Sequence, residues 1–182
     1  MTDVLTVASY IEETLKLPRY DTKKLQKLVY FAQAWSLAWT GKKIFPNQFE
    51  AWPDGPVVRE LFRMQKHYEL PAYDGSLPLA QREIIDSVLA YYGQLGHQDL
   101  IDLTHEHTPW LEARGSLAPT APSQAHLNDG TLRSFYTQRA ICDPDGPTRQ
   151  TSLFVLTDDS ADAIGDVVSA EWEETLSLLA NA

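Results

Sequence analysis

His105 and His107 with Glu106, and His97 and Asp102 nearby, are side chains of types that bind metal ions. Their spacing argues against such a site. On a helix, His105 and His107 diverge by roughly 200°. Glu106 stands beside both histidines rather than one turn from either, and the HExxH order of zinc hydrolases is absent. A histidine near a helix C-terminus can instead donate to unpaired carbonyls, which suits His105. Nucleophiles fare no better. Cys142 sits among Asp143 and Asp145, and carboxylates raise a thiol pKa rather than activate it. Neither Ser36 nor Ser76 lies in a nucleophile elbow, and no glycine-rich phosphate loop occurs. Asp54-Gly55, between Pro53 and Pro56, reads as a turn. The chain is therefore expected to be no enzyme and to carry neither metal nor cofactor.

What remains are rings. Leu25-Gln-Lys-Leu-Val-Tyr-Phe-Ala-Gln-Ala-Trp-Ser-Leu-Ala-Trp-Thr-Gly41 leads through Ile44-Phe45 to Glu50-Ala-Trp-Pro-Asp-Gly-Pro-Val-Val58. Apolar residues at Leu25, Leu28, Val29, Ala32, Trp35 and Trp39 have helical spacing. Asp21 or Thr22 can cap this helix and Gly41 can end it. Tyr30, Phe31, Trp35, Trp39, Trp52 and Trp110 could all be core. Tyr30-Phe31 and Trp35, however, occupy overlapping rather than identical helix faces, so one neighbour cannot cover every ring. Tyr and Trp are also favoured interface anchors, and part of the cluster is expected to form a groove or rim.

The elements that must position these rings are mostly helical. Helices are predicted over 3–17, 22–40, 56–68, 79–95, 98–107, a short piece from Thr108-Pro109 to Gly115, 128–137 and 159–179. Pro56 is placed as the first residue of its helix, as Pro109 is near the start of another. Two short apolar segments, 48–52 and 152–156, are expected to pair as a minimal β-ribbon lying on the helices. The fold class is mainly α, a single compact helical domain. Residues 1–140 form its body, and 141–182, a strand plus an acidic C-terminal helix, pack on the same domain.

At 182 residues the chain is long enough for a full core. One cysteine excludes an intrachain disulfide, no apolar run approaches the ~20 residues of a membrane span, and the N-terminus lacks a secretory pattern. A cytoplasmic location is expected. The net charge of −10 is uneven: residues 71–182 hold five arginines, no lysine and seventeen acidic residues. Such a surface opposes a phosphate backbone and suits a basic protein partner. DNA binding is not expected, although Arg19, Lys23, Lys24 and Lys27 leave it open.

The motifs from Leu25 to Trp35, from Gly41 to Phe45 and from Phe49 to Val58, followed by Leu103-Thr-His-Glu-His-Thr-Pro-Trp-Leu-Glu-Ala-Arg114, resemble the Panacea domain family, also called phage-associated or SocA-like. The resemblance covers about residues 4–137. It implies an antitoxin of a toxin–antitoxin system, neutralising its cognate protein toxin by direct protein–protein binding. One SocA-like branch implies an alternative, an adaptor that delivers the toxin to the ClpXP protease. An enzyme with an unrecognised site stays open as a third. The expected partner-binding residues are Tyr30, Trp35, Trp52, Asp54, Val58 and Arg59. Gly41, Gly55, Pro56, Pro109 and Trp110 are expected to shape turns.

Overall fold

A single helix, α2 (Thr22–Thr40), organises the molecule. The computed structural model describes residues 1–143 and 146–149. Asp21 caps α2 by accepting from the Lys24 amide, and Gly41, at φ +69°, ends it in the left-handed region that a glycine enters without strain. Every residue from Leu25 to Leu37 is buried. The single-face periodicity therefore understates this helix, which is enclosed on all sides in the manner of a central core helix.

The neighbours that enclose it follow in chain order. α1 (Val4–Leu15) starts at the Asp3 cap and ends at Lys16 in the left-handed conformation. A short hairpin, β1 (Glu50–Trp52) and β2 (Gly55–Val57), comes after α2, then α3 (Arg59–Lys66), α4 (Leu79–Tyr92), α5 (His97–Glu106), α6 (Thr108–Arg114) and α7 (Asp129–Cys142). α1, α3, α4, α5, α7 and β2 all pack directly on α2. Rings fill the seams. Phe31 stacks on Tyr92 of α4 at 4.0 Å, Tyr30 meets Phe49 edge-on at 5.3 Å, and Trp35 meets Tyr136 of α7 at 5.5 Å. Such pairs contribute about 0.5–1.5 kcal/mol each beyond the area they bury. Among the described residues the molecule is mainly α, with one two-stranded antiparallel sheet.

Two details depart from the sequence reading. The strand paired with 50–52 is the adjacent β2, in the register Glu50↔Val57, Ala51↔Pro56 and Trp52↔Gly55. The other edge of β1 is also occupied: the Ala51 amide donates to the Ala125 carbonyl, and Leu127 donates to Phe49. A two-residue turn suffices to close a hairpin, so local pairing wins over a long closure. The expected strand 152–156 and helix 159–179 lie outside the described residues. Secondly, Pro56 does not start a helix. It lies in β2, where the missing N–H costs no ladder bond opposite Ala51, and α3 begins three residues later at Arg59.

Candidate partner-binding site

Four polar side chains on α2 are buried, Gln26, Lys27, Gln33 and Ser36, and each is spent on the backbone of the segment that follows; Ser36 gives its hydroxyl proton to the Lys42 carbonyl at 2.8 Å. Gln33 accepts from the Ile44 amide at 2.8 Å and donates to the Phe45 carbonyl at 2.8 Å. Gln26 accepts from the Val58 amide at 3.0 Å and donates to Gln65 at 2.9 Å. The Lys27 ammonium, only 1% exposed, donates to the Pro56 carbonyl at 2.8 Å. These residues clip the extended segment and the hairpin to the central helix. Each satisfies a backbone group that would cost about 1–3 kcal/mol if buried unpaired.

The hairpin turn is fitted closely over that lysine. Gly55 has φ +92°, and a Cβ there would meet Thr104 Oγ1 at 2.6 Å and Lys27 Cε at 2.8 Å. Glycine is thus required twice, by conformation and by space. Asp54 at the tip is exposed and pairs with Lys23 at 2.8 Å; this bond above all holds its carboxyl below the ordinary range. Burial drives the Lys27 pKa down to about 7, against the pull of Asp54.

β1 carries the outward face. The Glu50 carboxylate accepts two bonds from Arg59, both 2.7 Å, and one from the Trp52 indole at 2.8 Å. Arg59, then the indole, keep its pKa below the ordinary carboxylate value. One buried carboxylate therefore fixes both a tryptophan and an arginine. Bidentate arginine pairs of this kind set orientation as well as energy. Trp52 packs edge-on against Phe62 at 4.8 Å and, with Pro53, Arg59, Pro122, Ser123 and Gln124, lines an open groove. α6 supports the strand from beneath. The Trp110 indole donates to the Trp52 carbonyl at 3.0 Å, and buried Arg114 donates to the carbonyls of Ala51, Ala118, Pro119 and Ala121.

The expected site residues divide accordingly. Tyr30, Trp35 and Val58 are core and offer no surface to a partner: the neighbours of α2 cover the two rings, and Val58, at the start of α3, is held against α2 by Gln26. Trp52 is half-buried, whereas Asp54 and Arg59 are exposed, and these three share the hairpin corner. Gly41 ends α2, Gly55 and Pro56 lie in the hairpin, Pro109 is in the first turn of α6, and Trp110 braces β1. The histidines do not converge. His105 stacks on Trp110 at 4.1 Å, while His107 is buried between Tyr136 and Arg139, at 2.9 and 2.8 Å. Among the described residues no three of His, Cys, Asp and Glu gather as metal ligands. The basic run is engaged as well: Lys23 holds Asp54, Lys24 donates to the Gly93 carbonyl, and Lys27 is inside.

Residues 25–111 match the family model described as Antitoxin SocA-like, Panacea domain. Over these residues the chain is similar to that antitoxin-like family. No curated protein and no solved structure matches the chain. The matched segment starts on α2 and ends on α6, so it contains the clips, the hairpin, Thr104 and Trp110. Arg114 and Tyr136 lie beyond it. Sequence reasoning missed Gln26, Lys27 and Gln33 as the clips that hold this hairpin and the segment before it. The available signal was three polar residues inside a helix otherwise too apolar to have a wet face.

Proposed function

We propose that this chain is the antitoxin of a toxin–antitoxin pair and that it neutralises a cognate protein toxin by direct binding in the cytosol. The observation that carries the reading is the SocA-like antitoxin domain over residues 25–111. The matched segment includes a braced hairpin whose corner presents Trp52, Asp54 and Arg59. A half-buried tryptophan beside an arginine and held rigidly is the composition of an interface hot spot, since little side-chain freedom is left to lose on binding. In this reading the toxin is occluded rather than delivered to ClpXP, and the chain acts by binding, not catalysis.

Trp52 is the residue to change. Arg59 is less suitable because its loss strips Glu50 of its partner. Co-expressed with the product of its neighbouring gene, the wild-type chain is expected to restore growth and co-purify with it. Trp52→Ala is expected to weaken both at least tenfold, with an unchanged circular dichroism spectrum, and rescue is expected to persist without ClpXP. Full rescue by folded Trp52→Ala removes the hairpin from the interface, and a harmless neighbour removes the antitoxin reading.

A further inference from the structure

Lys27 is the most unusual group in the described molecule. Its ammonium has three N–H donors and makes one hydrogen bond among the described residues, to the Pro56 carbonyl. No carboxylate among the described residues bonds to it. Asp54, on the turn above, is bound to Lys23, which lies one helical turn back on α2. From α5, Thr104 gives its hydroxyl proton to the Ile101 carbonyl, and His105 stacks on Trp110. Water is kept out by the turn itself, as Gly55 lies so close that one added carbon would meet the lysine at 2.8 Å. The groups facing Lys27 are thus Lys23, Asp54 and His105, and none neutralises it by direct contact.

We propose that the Trp52–Val57 hairpin is a proton-linked lid over Lys27: it closes on the neutral amine and is loosened when the amine takes up a proton. With the lid open, the ammonium reaches water and its proton is held as in any exposed lysine. With the lid closed, two donors are left without acceptors in a dry site, which disfavours the charged form. The lowered pKa agrees, about 7 against the ordinary 10.5. The sign follows from linkage: the open state binds more protons between those two values, so closure strengthens as pH rises through the interval. Below the closed-state value the penalty on closure is complete and constant.

The lid belongs to the free chain and stands apart from the antitoxin reading. Failure of neutralisation leaves it untouched, and a pH-insensitive turn leaves that reading untouched. Backbone amide hydrogen exchange at Gly55 and Val57, corrected for intrinsic rate, tests it between pH 7 and 9. Protection in the wild type is expected to rise by up to about tenfold per pH unit, the limit for one linked proton. Phe31, in the core of α2, is expected to stay better protected throughout. Lys27→Met is expected to abolish the slope, whereas His105→Gln is expected to keep it. Any of four results overturns the proposal: a flat wild-type profile, a slope surviving in Lys27→Met, a slope lost in His105→Gln, or Phe31 protected no better than Val57. Should Lys27→Met fail to fold, nitrogen NMR of Lys27 in the wild type decides. A midpoint near 7 supports the lid, and one near 10.5 overturns it.

Discussion

His107 illustrates how a residue whose type suggests chemistry is spent on structure. Arg139 can only donate, so His107 Nε2 accepts from it and Nδ1 carries the proton given to the Tyr136 hydroxyl. Burial first, and Arg139 second, lower its pKa to about 4. The unfolded chain, at the ordinary 6.5, then binds more protons between pH 6.5 and 4. Stability is therefore complete above 6.5 and falls as pH drops through that window, with no further loss from this group below it. The loss is expected to reach about 3 kcal/mol, at 1.36 kcal/mol per pKa unit. Urea titrations at pH 7 and 4.5 check this: His107→Gln is expected to be less stable at pH 7 yet to lose less on acidification. An equal loss in both proteins would assign the acid sensitivity elsewhere.

At the scale of elements, α2 and the hairpin act as one unit because α2 supplies the hydrogen bonds that the extended segment cannot make for itself. Gln33→Leu keeps the volume roughly but strands the Ile44 amide and the Phe45 carbonyl. It is expected to cost about 2–6 kcal/mol, from two buried groups at about 1–3 each. Gly55→Ala acts on the same unit from the other side. A methyl group 2.6 Å from Thr104 Oγ1, at φ +92°, is expected to displace the turn and cost about 2–4 kcal/mol. Chemical denaturation measures both. If Gly55→Ala matched the wild type, the close fit between turn and lysine would be wrong. Gln33→Leu is expected to loosen the 44–45 segment in hydrogen exchange before it disturbs α7.

For the whole molecule, charge is the property with reach. Residues 151–182 carry seven carboxylates and no lysine or arginine, so most of the net −10 belongs to this last stretch. Fields of that kind act on encounter rates rather than on fold, and salt screens them within a Debye length of about 10 Å at 0.1 M. Under the antitoxin reading, changing those seven carboxylates to amides is expected to slow association with the toxin severalfold at low salt. The difference is expected to vanish near 0.5 M salt, where screening is severe. Stopped-flow association rates check this. Equal rates at low salt would leave the charge as a solubilising surface only.

The sequence by itself determined the helices, because their signals are local. The cap at Asp21, the glycine stop at Gly41 and apolar spacing along α1 act over a turn or two, and the observed ends of α1 and α2 fall close to those predicted, whereas α4 stops three residues short of its predicted end and α7 runs five beyond, to Cys142. It also carried the likeness to the antitoxin-like family over residues 25–111, through residues whose order is independent of geometry. Tertiary structure decided what each side chain became. Periodicity reveals one apolar face, but burial sums over every neighbour, and α2 has neighbours all round; that is why Tyr30 and Trp35 are core. Lys27 looked like a surface cation because nothing near it in sequence could hide it. The carbonyl it bonds is 29 residues away and the helix that walls it in lies farther still. A side chain's charge depends on the water left around it, and only the packed chain determines that.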